Sequence, residues 1–292
     1  MPPSSTEADR RDTVGSAIGT ERHRAIRTGF SVARIAAMIL RYWYLLRGSW
    51  PRVLELAYWP TVQMILWGFI SQFMATNSTW VAQAAGVLIA AVLLWDVMFR
   101  GQLGVSISFL EEMWSRNLGH LFVSPLRPSE WVVSLMVMSL IRTLIGLLPA
   151  ALLAVPIFGF SLTDLGPALV LFFANLIAMG WWLGLLIVAL ILRHGLGAES
   201  LAWVAVFLLA PVSAIYYPVS VLPEWLQWVA WFLPSAHVFE GMRAVLFDGV
   251  VRLDHLAWAA GLNAAFMAVS FGVFMHFFDV ARKQGALLQT GE

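Results

Sequence analysis

The segment FLEEMWSRNLGHLFVSPLRPSEW, residues 109–131, is a polar island between two long apolar stretches. It is too charged to lie in lipid and too short to be a domain. Ser108 with Glu111 has the spacing of a capping box, and Gly119 is a natural helix stop. The pattern therefore predicts a short amphipathic helix over residues 109–119. Held at a membrane surface by spans on both sides, such a helix would offer a docking site to a soluble partner.

The composition is that of an integral membrane protein. Of the 292 residues, 60% are hydrophobic and 12% are charged, and the mean hydropathy is +0.78. Soluble domains average about 45–50% apolar and about 25% charged residues. The net charge of +1 and the lack of a basic run predict no nucleic-acid partner. The chain has no cysteine, which excludes disulfides and thiol chemistry.

Six apolar stretches approach the length of about 20 residues that a bilayer requires. We therefore predict an all-α integral membrane protein with six transmembrane helices, at residues 53–74, 81–107, 131–158, 165–192, 198–217 and 256–278. The predicted organisation is a disordered cytoplasmic leader (1–20), an interfacial amphipathic helix (21–50), a six-span domain (51–280) and a cytoplasmic tail (281–292).

The stretch before the first span carries Arg27, Arg34 and Arg41, spaced by seven residues so that they line one face of a helix. If this helix crossed the membrane, two of these arginines would be buried, each at a cost of about 2.5–3.5 kcal/mol. A helix lying in the cytoplasmic interface is therefore favoured. A seventh span is the alternative.

Positive charges near the span ends collect on the side of the island, so both termini and the island are predicted to be cytoplasmic. On the opposite side, the long segment 219–255 is apolar, and Pro218, Pro223 and Pro234 interrupt this region. Such a segment does not suit free exposure to water. We predict a re-entrant hairpin of short helices that dips into the outer leaflet before the last span.

The sequence contains no catalytic motif. A P-loop, HExxH and GxSxG are all absent, and the histidines lack metal-ligand spacing. The chain is therefore predicted to be no enzyme and to bind no metal or cofactor. In the fourth predicted span, Gly180 and Gly184 form a GxxxG pattern, which permits close helix contact.

Four ionisable residues lie within or near membrane depth, where such residues usually face the bundle interior and pair. Counting inward from the cytoplasmic ends places Asp96 with Arg142 and Glu55 with Arg100. Asp96 and Arg100 are also four residues apart, the favourable order for a pair within one helix. The depth count predicts the pairs Asp96–Arg142 and Glu55–Arg100, with structural neutralisation as the simplest role.

Two segments resemble the permease subunits of ABC-2 type transporters, a family of O-antigen, capsule, Nod-factor and drug exporters. They are EEMWSRNLGHLFVSPLRP (111–128) and YYPVSVLPEWLQWVAWFLPSAHVFEGMRAVLF (216–247). The resemblance covers roughly residues 25–285 and leaves out the leader. It implies a permease in the bacterial inner membrane, working as two copies with two cytoplasmic ATPase subunits that hold ATP and Mg.

The resemblance also implies roles for particular residues. The island would be the coupling helix that docks on the ATPase, and the arginine stripe Arg27/Arg34/Arg41 would contact the ATPase or lipid phosphates. The implied ATPase contacts are Glu111, Glu112, Trp114, Arg116 and Asn117. The implied outer gate is Tyr216, Tyr217, Pro218, Leu222 and Pro223.

The function implied is ATP-driven export of a hydrophobic or amphipathic substrate, such as a lipid-linked glycan, a lipid or a drug-like product. Two other classes stay open. A secondary transporter would use the intramembrane charges and need no ATPase. A membrane-embedded lipid-modifying enzyme would need a polar cluster at one face, and the island lacks paired carboxylates with a histidine.

Overall fold

The structure is a computed structural model that describes residues 29–285, apart from position 78 and the side chains of residues 75–85. The described part is helical and contains no strand. The predicted leader, Arg27 and residues 286–292 of the predicted tail lie outside it. The α-helices are α1 (Val32–Arg47), α2 (Trp50–Asn77), α3 (Thr79–Trp114), α4 (Leu118–Val123), α5 (Pro128–Phe158), α6 (Ala168–His194), α7 (Leu201–Leu209), α8 (Glu224–Trp231), α9 (Pro234–Arg243) and α10 (Leu253–Lys283).

Five helices are long and apolar enough to cross a membrane, and they match five of the six predicted spans. Their candidate membrane segments are Trp50–Met74, Gly86–Trp114, Pro128–Phe158, Ala168–His194 and Leu253–Lys283. A multi-pass membrane protein is thereby confirmed.

The stretch predicted as a span at 198–217 is different. It forms a shorter apolar helical segment, Leu196–Val212, which includes α7 and ends in a 3-10 turn at Ala210–Val212. Seventeen residues reach about 25 Å, less than the hydrocarbon thickness of about 30 Å. Pro211 lies in that last turn, and its missing N–H and fixed φ favour an end there. Of the six predicted full-length spans, five are long enough to cross the membrane, and the sixth stretch is a shorter apolar helix.

Helices α3 and α6 form the centre of the bundle, with α2 and α5 packed on α3, and α9 and α10 packed on α6. Glycines allow the central contact. A Cβ at Gly180 would lie 2.5 Å from the Met98 carbonyl oxygen, and one at Gly184 would lie 2.8 Å from the Gln102 carbonyl oxygen. The close contact predicted from the GxxxG pattern is confirmed, and it joins α6 to α3.

Helix α1 is amphipathic, as predicted. Ile35, Met38, Tyr42 and Leu46 recur every three or four residues and are buried, while Val32, Leu40 and Tyr44 are exposed. The buried face packs on α5, where the indole N–H of Trp131 donates to the Tyr42 hydroxyl at 2.9 Å. With 16 residues, α1 is about 24 Å long and is too short for an upright span. Its depth in the membrane stays a prediction.

The predicted outer hairpin does consist of two short helices. Phe232 and Leu233 separate α8 from α9. Most of α9 is buried, against α10 and α6, whereas α8 exposes Trp225 and Trp228. Insertion of this hairpin into the outer leaflet stays a prediction.

Candidate translocation cavity and cytoplasmic island

A cavity of about 660 Å³ lies between α2, α3, α5 and α7. One part of its wall carries the charged residues Arg52, Glu55, Glu111 and Arg142, close to the island. Another part reaches Tyr216, in the loop that follows α7. The cavity therefore connects the two regions that the sequence singled out.

Asp96 and Arg100 form an ion pair on the cavity wall. The Arg100 Nε donates to the Asp96 carboxylate at 2.5 Å, and each side chain is about nine-tenths buried. Both residues lie on α3, one helical turn apart. Neither of the pairs predicted from depth, Asp96–Arg142 and Glu55–Arg100, forms. Asp96 and Arg100 pair instead because one helical turn already places them side by side. Those two pairings were wrong.

Arg142 instead turns toward the island. Its Nη1 donates to the Ser108 hydroxyl at 3.0 Å, and its Nη2 lies 3.5 Å from a carboxylate oxygen of Glu111. The same Glu111 also pairs with Arg52 at 3.3 Å. The Arg142 Nε is buried and has no hydrogen-bond partner within the described part of the chain. The parts of Arg142 that line the cavity nevertheless place a positive charge beside it.

The rest of the cavity wall is largely aromatic. Trp59, Trp95, Phe99, Trp203 and Phe207 all line it. Phe99 and Trp203 meet edge to face, with ring centroids 6.1 Å apart. Large aromatic faces beside a few charges suit a ligand that has both apolar and polar parts.

Of the residues predicted for the outer gate, Tyr216 lines the cavity. Its ring stacks on Trp67 of α2, with centroids 4.5 Å apart and planes 17° from parallel. The Tyr217 hydroxyl donates to the Pro211 carbonyl at 2.6 Å. Leu222 packs on a small cluster of Ala214, Val219, Ala230 and Ala236. Pro218 is the N-cap of a 3-10 turn at Val219–Val221, and Pro223 is the N-cap of α8.

Sequence reasoning missed the two residues that fix this loop, Glu240 and Arg243 of α9. The Arg243 Nη2 lies within hydrogen-bond distance of the carbonyl oxygens of Ala214, Ile215 and Tyr217. Glu240 accepts from the Val219 N–H at 2.6 Å and pairs with Arg243 at 3.4 Å. Opposite charges three residues apart in an otherwise apolar segment were the available signal. We call this pair the loop clamp.

The island differs from its prediction, because no separate helix spans 109–119. Helix α3 continues to Trp114, since Phe109 and Leu110 are fully buried and Phe109 packs on Trp131. The chain turns at Arg116, whose φ of 57° is left-handed, and α4 then begins at Leu118. Gly119, predicted as a stop, lies inside α4.

The island carboxylates are occupied by partners within the chain. Glu112 is 2% exposed and accepts from both Nη groups of Arg41, one at 3.1 Å, and from the Asn117 amide at 2.7 Å. The hydrogen bonds that Arg41 donates to Glu112 raise the pKa of Arg41 above its ordinary value. Glu112 therefore does not face a partner. Trp114, Ser115 and Arg116 are exposed, and we call these three residues the island tip.

The arginine stripe also points into the protein. Like Arg41, Arg34 makes an internal ion pair, which it forms with the carboxylate of Glu130 at the start of α5. Glu130 accepts in addition from the Arg127 and Ser31 N–H groups, at 3.0 and 2.8 Å. The two described arginines of the stripe therefore attach α1 to the bundle. Glu130, three residues after Arg127 and preceded by Pro128, carried a helix-start signal that the prediction did not use.

The sequence profile of the family described as ABC-2 type transporter matches residues 36–247. No curated protein matched the chain. The matched range begins within α1 and ends after α9, and it includes the island, the cavity and the loop clamp.

Proposed function

Because the chain belongs to the ABC-2 type transporter family, we propose that it is the permease subunit of an ATP-driven exporter. The family supplies membrane components of transporters, and a separate cytoplasmic ATPase would hold ATP and Mg. The observation that carries the proposal is the cavity, which reaches from the island side of the bundle to the loop at Tyr216.

The cavity wall favours an amphipathic substrate. The aromatic rings of Trp95, Trp203 and Phe207 would bury an apolar part, and the charged wall at Arg52, Glu55 and Arg142 would meet a polar one. A volume of about 660 Å³ falls within the range of about 300–1,000 Å³ usual for ligand sites. A lipid, a lipid-linked glycan or a drug-like product all have this character.

The island tip is the proposed ATPase contact. Trp114 and Arg116 are exposed there, and Asn117, half-buried behind them, supports the turn. Glu111 and Glu112 are left out of this surface because their carboxylates bind arginines within the chain. The positive charges near the span ends support a cytoplasmic island and cytoplasmic termini in a bacterial inner membrane.

Two copies of the chain would form the transporter. Only 17% of the apolar membrane segment of α2 is buried within the chain. Its exposed side chains include Leu54, Tyr58, Leu66 and Phe69. An apolar face that belongs to a cavity-lining helix suits pairing with the same face of a second copy. ATP-driven closure of the ATPases would then move the island tips and the attached spans as rigid bodies.

Capture of the partner tests the proposal. The full-length chain, tagged and purified from its native membrane, should bring down a protein with ATPase activity. Arg116→Glu should lower the captured activity at least about tenfold, which corresponds to about 1.4 kcal/mol of lost binding. Lys283→Glu is the matched control, because Lys283 is an exposed cation at the end of α10. Absence of any ATPase, with transport unaffected by Arg116→Glu, would reject the proposal.

The gate is tested on the same complex. A double variant Trp67→Cys/Tyr216→Cys places thiols at the stacked pair, and the chain contains no other cysteine. A short thiol-reactive cross-linker should stop substrate-stimulated ATP hydrolysis, and each single variant should respond little. If the rate of substrate-stimulated ATP hydrolysis were equal before and after cross-linking, Tyr216 would not be part of the gate.

A secondary transporter is the second candidate, favoured by the buried Asp96–Arg100 pair on the cavity wall. Such a transporter would work without an ATPase and would depend on an ion gradient. Transport in proteoliposomes that contain this chain alone, abolished by an ionophore, would favour it over the exporter.

A further inference from the structure

Two histidines meet where the helical hairpin of α8 and α9 joins the last span. His237 lies on α9 and His255 lies near the start of α10. Their Nδ1 atoms are 3.3 Å apart. The ring centroids are 5.6 Å apart, which exceeds the nitrogen separation by about the width of one imidazole ring. The two nitrogens therefore point at each other along the line that joins the rings.

The hydrogen bonds fix where the protons lie. The His237 Nε2 is 2.9 Å from the Trp231 carbonyl oxygen, so this nitrogen carries a hydrogen and donates. In neutral His237 the Nδ1 is then bare and accepts. His255 must supply the hydrogen between the two rings from its own Nδ1, and its Nε2 is bare.

This arrangement accommodates one added proton but not two. One added proton can be placed on the bare Nε2 of His255 without breaking the Nδ1–H···Nδ1 bond. The second must bind the Nδ1 of His237, where the hydrogen from His255 already points. Two N–H groups would then face each other between two positive rings, and the contact must open.

The surroundings add little that could offset this repulsion. Asp254, on α10, is an acid that acts on His237, and it is already paired with Arg252 at 2.8 Å. On α9, Glu240 is bound to Arg243 and Val219. Helix α8 contributes the Trp231 carbonyl, and α6 contributes the apolar ring of Phe172 beside Gly241.

Two tryptophans pack beside the pair. Trp231 stacks on His255 with centroids 5.7 Å apart, and Trp258 lies parallel to His237 at 6.4 Å. Burial lowers the pKa of His237 below its ordinary value, and the neighbouring His255 acts in the same direction, whereas the Trp231 hydrogen bond and Asp254 oppose it. A metal is a poorer occupant, because the described residues hold no third His, Cys, Asp or Glu placed to complete a site.

We propose that His237 and His255 form a proton-sensing joint, which holds the hairpin against α10 while at most one ring is charged and releases it when both are. The joint bears on the loop after α7, because α9 also carries the loop clamp of Glu240 and Arg243. Acid on this side of the bundle would thereby loosen the loop at Tyr216. The proposal requires neither a substrate nor an ATPase.

Spin labels measure the release directly. Val229→Cys on α8 and Ala260→Cys on α10 are exposed positions, and the chain has no other cysteine. With the purified full-length chain in lipid nanodiscs, the label–label distance distribution should be narrow at alkaline pH. It should gain a longer component on acidification, with a midpoint below about pH 6.5, the ordinary histidine value.

Variants decide the cause. His237→Gln and His255→Gln, each unable to complete the doubly charged pair, should lose the acid-dependent component. His276→Gln, elsewhere on α10, should keep it. A distribution that does not change with pH in the unsubstituted chain overturns the joint, as does an unchanged acid response in either glutamine variant. A narrow distribution at alkaline pH shows that each variant is folded, and if His237→Gln lacks it, His255→Gln decides.

Discussion

Arg34 binds both carboxylate oxygens of Glu130, a residue 96 positions further along the chain, with nitrogen–oxygen distances of 2.6 and 2.8 Å. Glu130 is fully buried, so the pair joins α1 to the first turn of α5 in a protected place. A fork-to-fork contact of this kind is among the stronger ionic interactions in proteins. The N-terminal helix is therefore fixed by charge as well as by its apolar face.

Loss of this pair should destabilise the protein. In Arg34→Ala the buried carboxylate of Glu130 loses both guanidinium donors and keeps the N–H groups of Ser31 and Arg127, and we expect a loss of about 2–3 kcal/mol. The midpoint of thermal unfolding, followed by tryptophan fluorescence in detergent, should fall by about 4–12 °C at 2–4 °C per kcal/mol. Arg34→Lys should recover part of the loss, since an ammonium cannot bind both oxygens in parallel.

Arg47→Ala is the control, because Arg47 lies exposed at the end of the same helix. Equal unfolding midpoints for the alanine variants of Arg34 and Arg47 would show that the pair contributes nothing.

The contact between α3 and α6 should tolerate no methyl group at Gly180. A Cβ there would lie 2.5 Å from a backbone oxygen, so the two helices must separate. We expect Gly180→Ala to cost about 1–3 kcal/mol, the usual range for overpacking. On α10, Gly261 and Gly272 face open space, and alanine there should be neutral or stabilising by up to about 1 kcal/mol.

Unfolding midpoints of the three glycine variants measure this contrast. A Gly180→Ala protein as stable as the Gly261→Ala protein would mean that the helices are not in contact at this position.

Removal of the loop clamp should free the backbone after α7. In Arg243→Ala, the carbonyls of Ala214, Ile215 and Tyr217 lose their donor. Amide hydrogen exchange over residues 213–222 should accelerate at least about tenfold, while exchange in α3 stays unchanged. Arg252→Ala is the control, since Arg252 is exposed and pairs with the equally exposed Asp254. Unchanged exchange in Arg243→Ala would dismiss the clamp.

Substitutions at the island should distinguish residues that stabilise the fold from residues that contact the ATPase. Glu112→Ala leaves Arg41 and the Asn117 amide without their partner, so it should lower both unfolding stability and ATPase capture. Arg116→Glu changes an exposed side chain and should lower capture alone. A parallel measurement of unfolding midpoint and captured ATPase activity tests this. If Arg116→Glu destabilised the protein as much as Glu112→Ala, the island tip would not be a separate contact surface.

Residues whose surroundings are set by their own helix were predictable. Long apolar stretches give five of the spans, and Gly180 and Gly184 indicate the helix contact that the structure shows. Arg34 and Arg41 were placed on one face correctly, but their partners Glu130 and Glu112 lie 96 and 71 positions away. No local pattern specifies such distant partners.

Ser108 and Glu111 show the opposite limit. Their spacing is a real helix-start signal, yet Arg142 binds the serine hydroxyl and Arg52 binds the glutamate, so neither side chain caps a helix. The helix continued because Phe109 and Leu110 found an apolar environment that the sequence alone does not reveal. For Asp96, one turn of helix decided the partner, and the depth count compared positions too coarsely.

The length of α3 has a mechanical consequence. Thirty-six residues extend about 54 Å, whereas the hydrocarbon core is about 30 Å thick. The helix is therefore a lever arm that carries the island tip at one end and part of the cavity wall along its length. If α3 tilted by a few degrees as a rigid body, the island tip would move, and so would Asp96 on the cavity wall. A force that a partner applied to the island tip would in this way change the shape of the cavity.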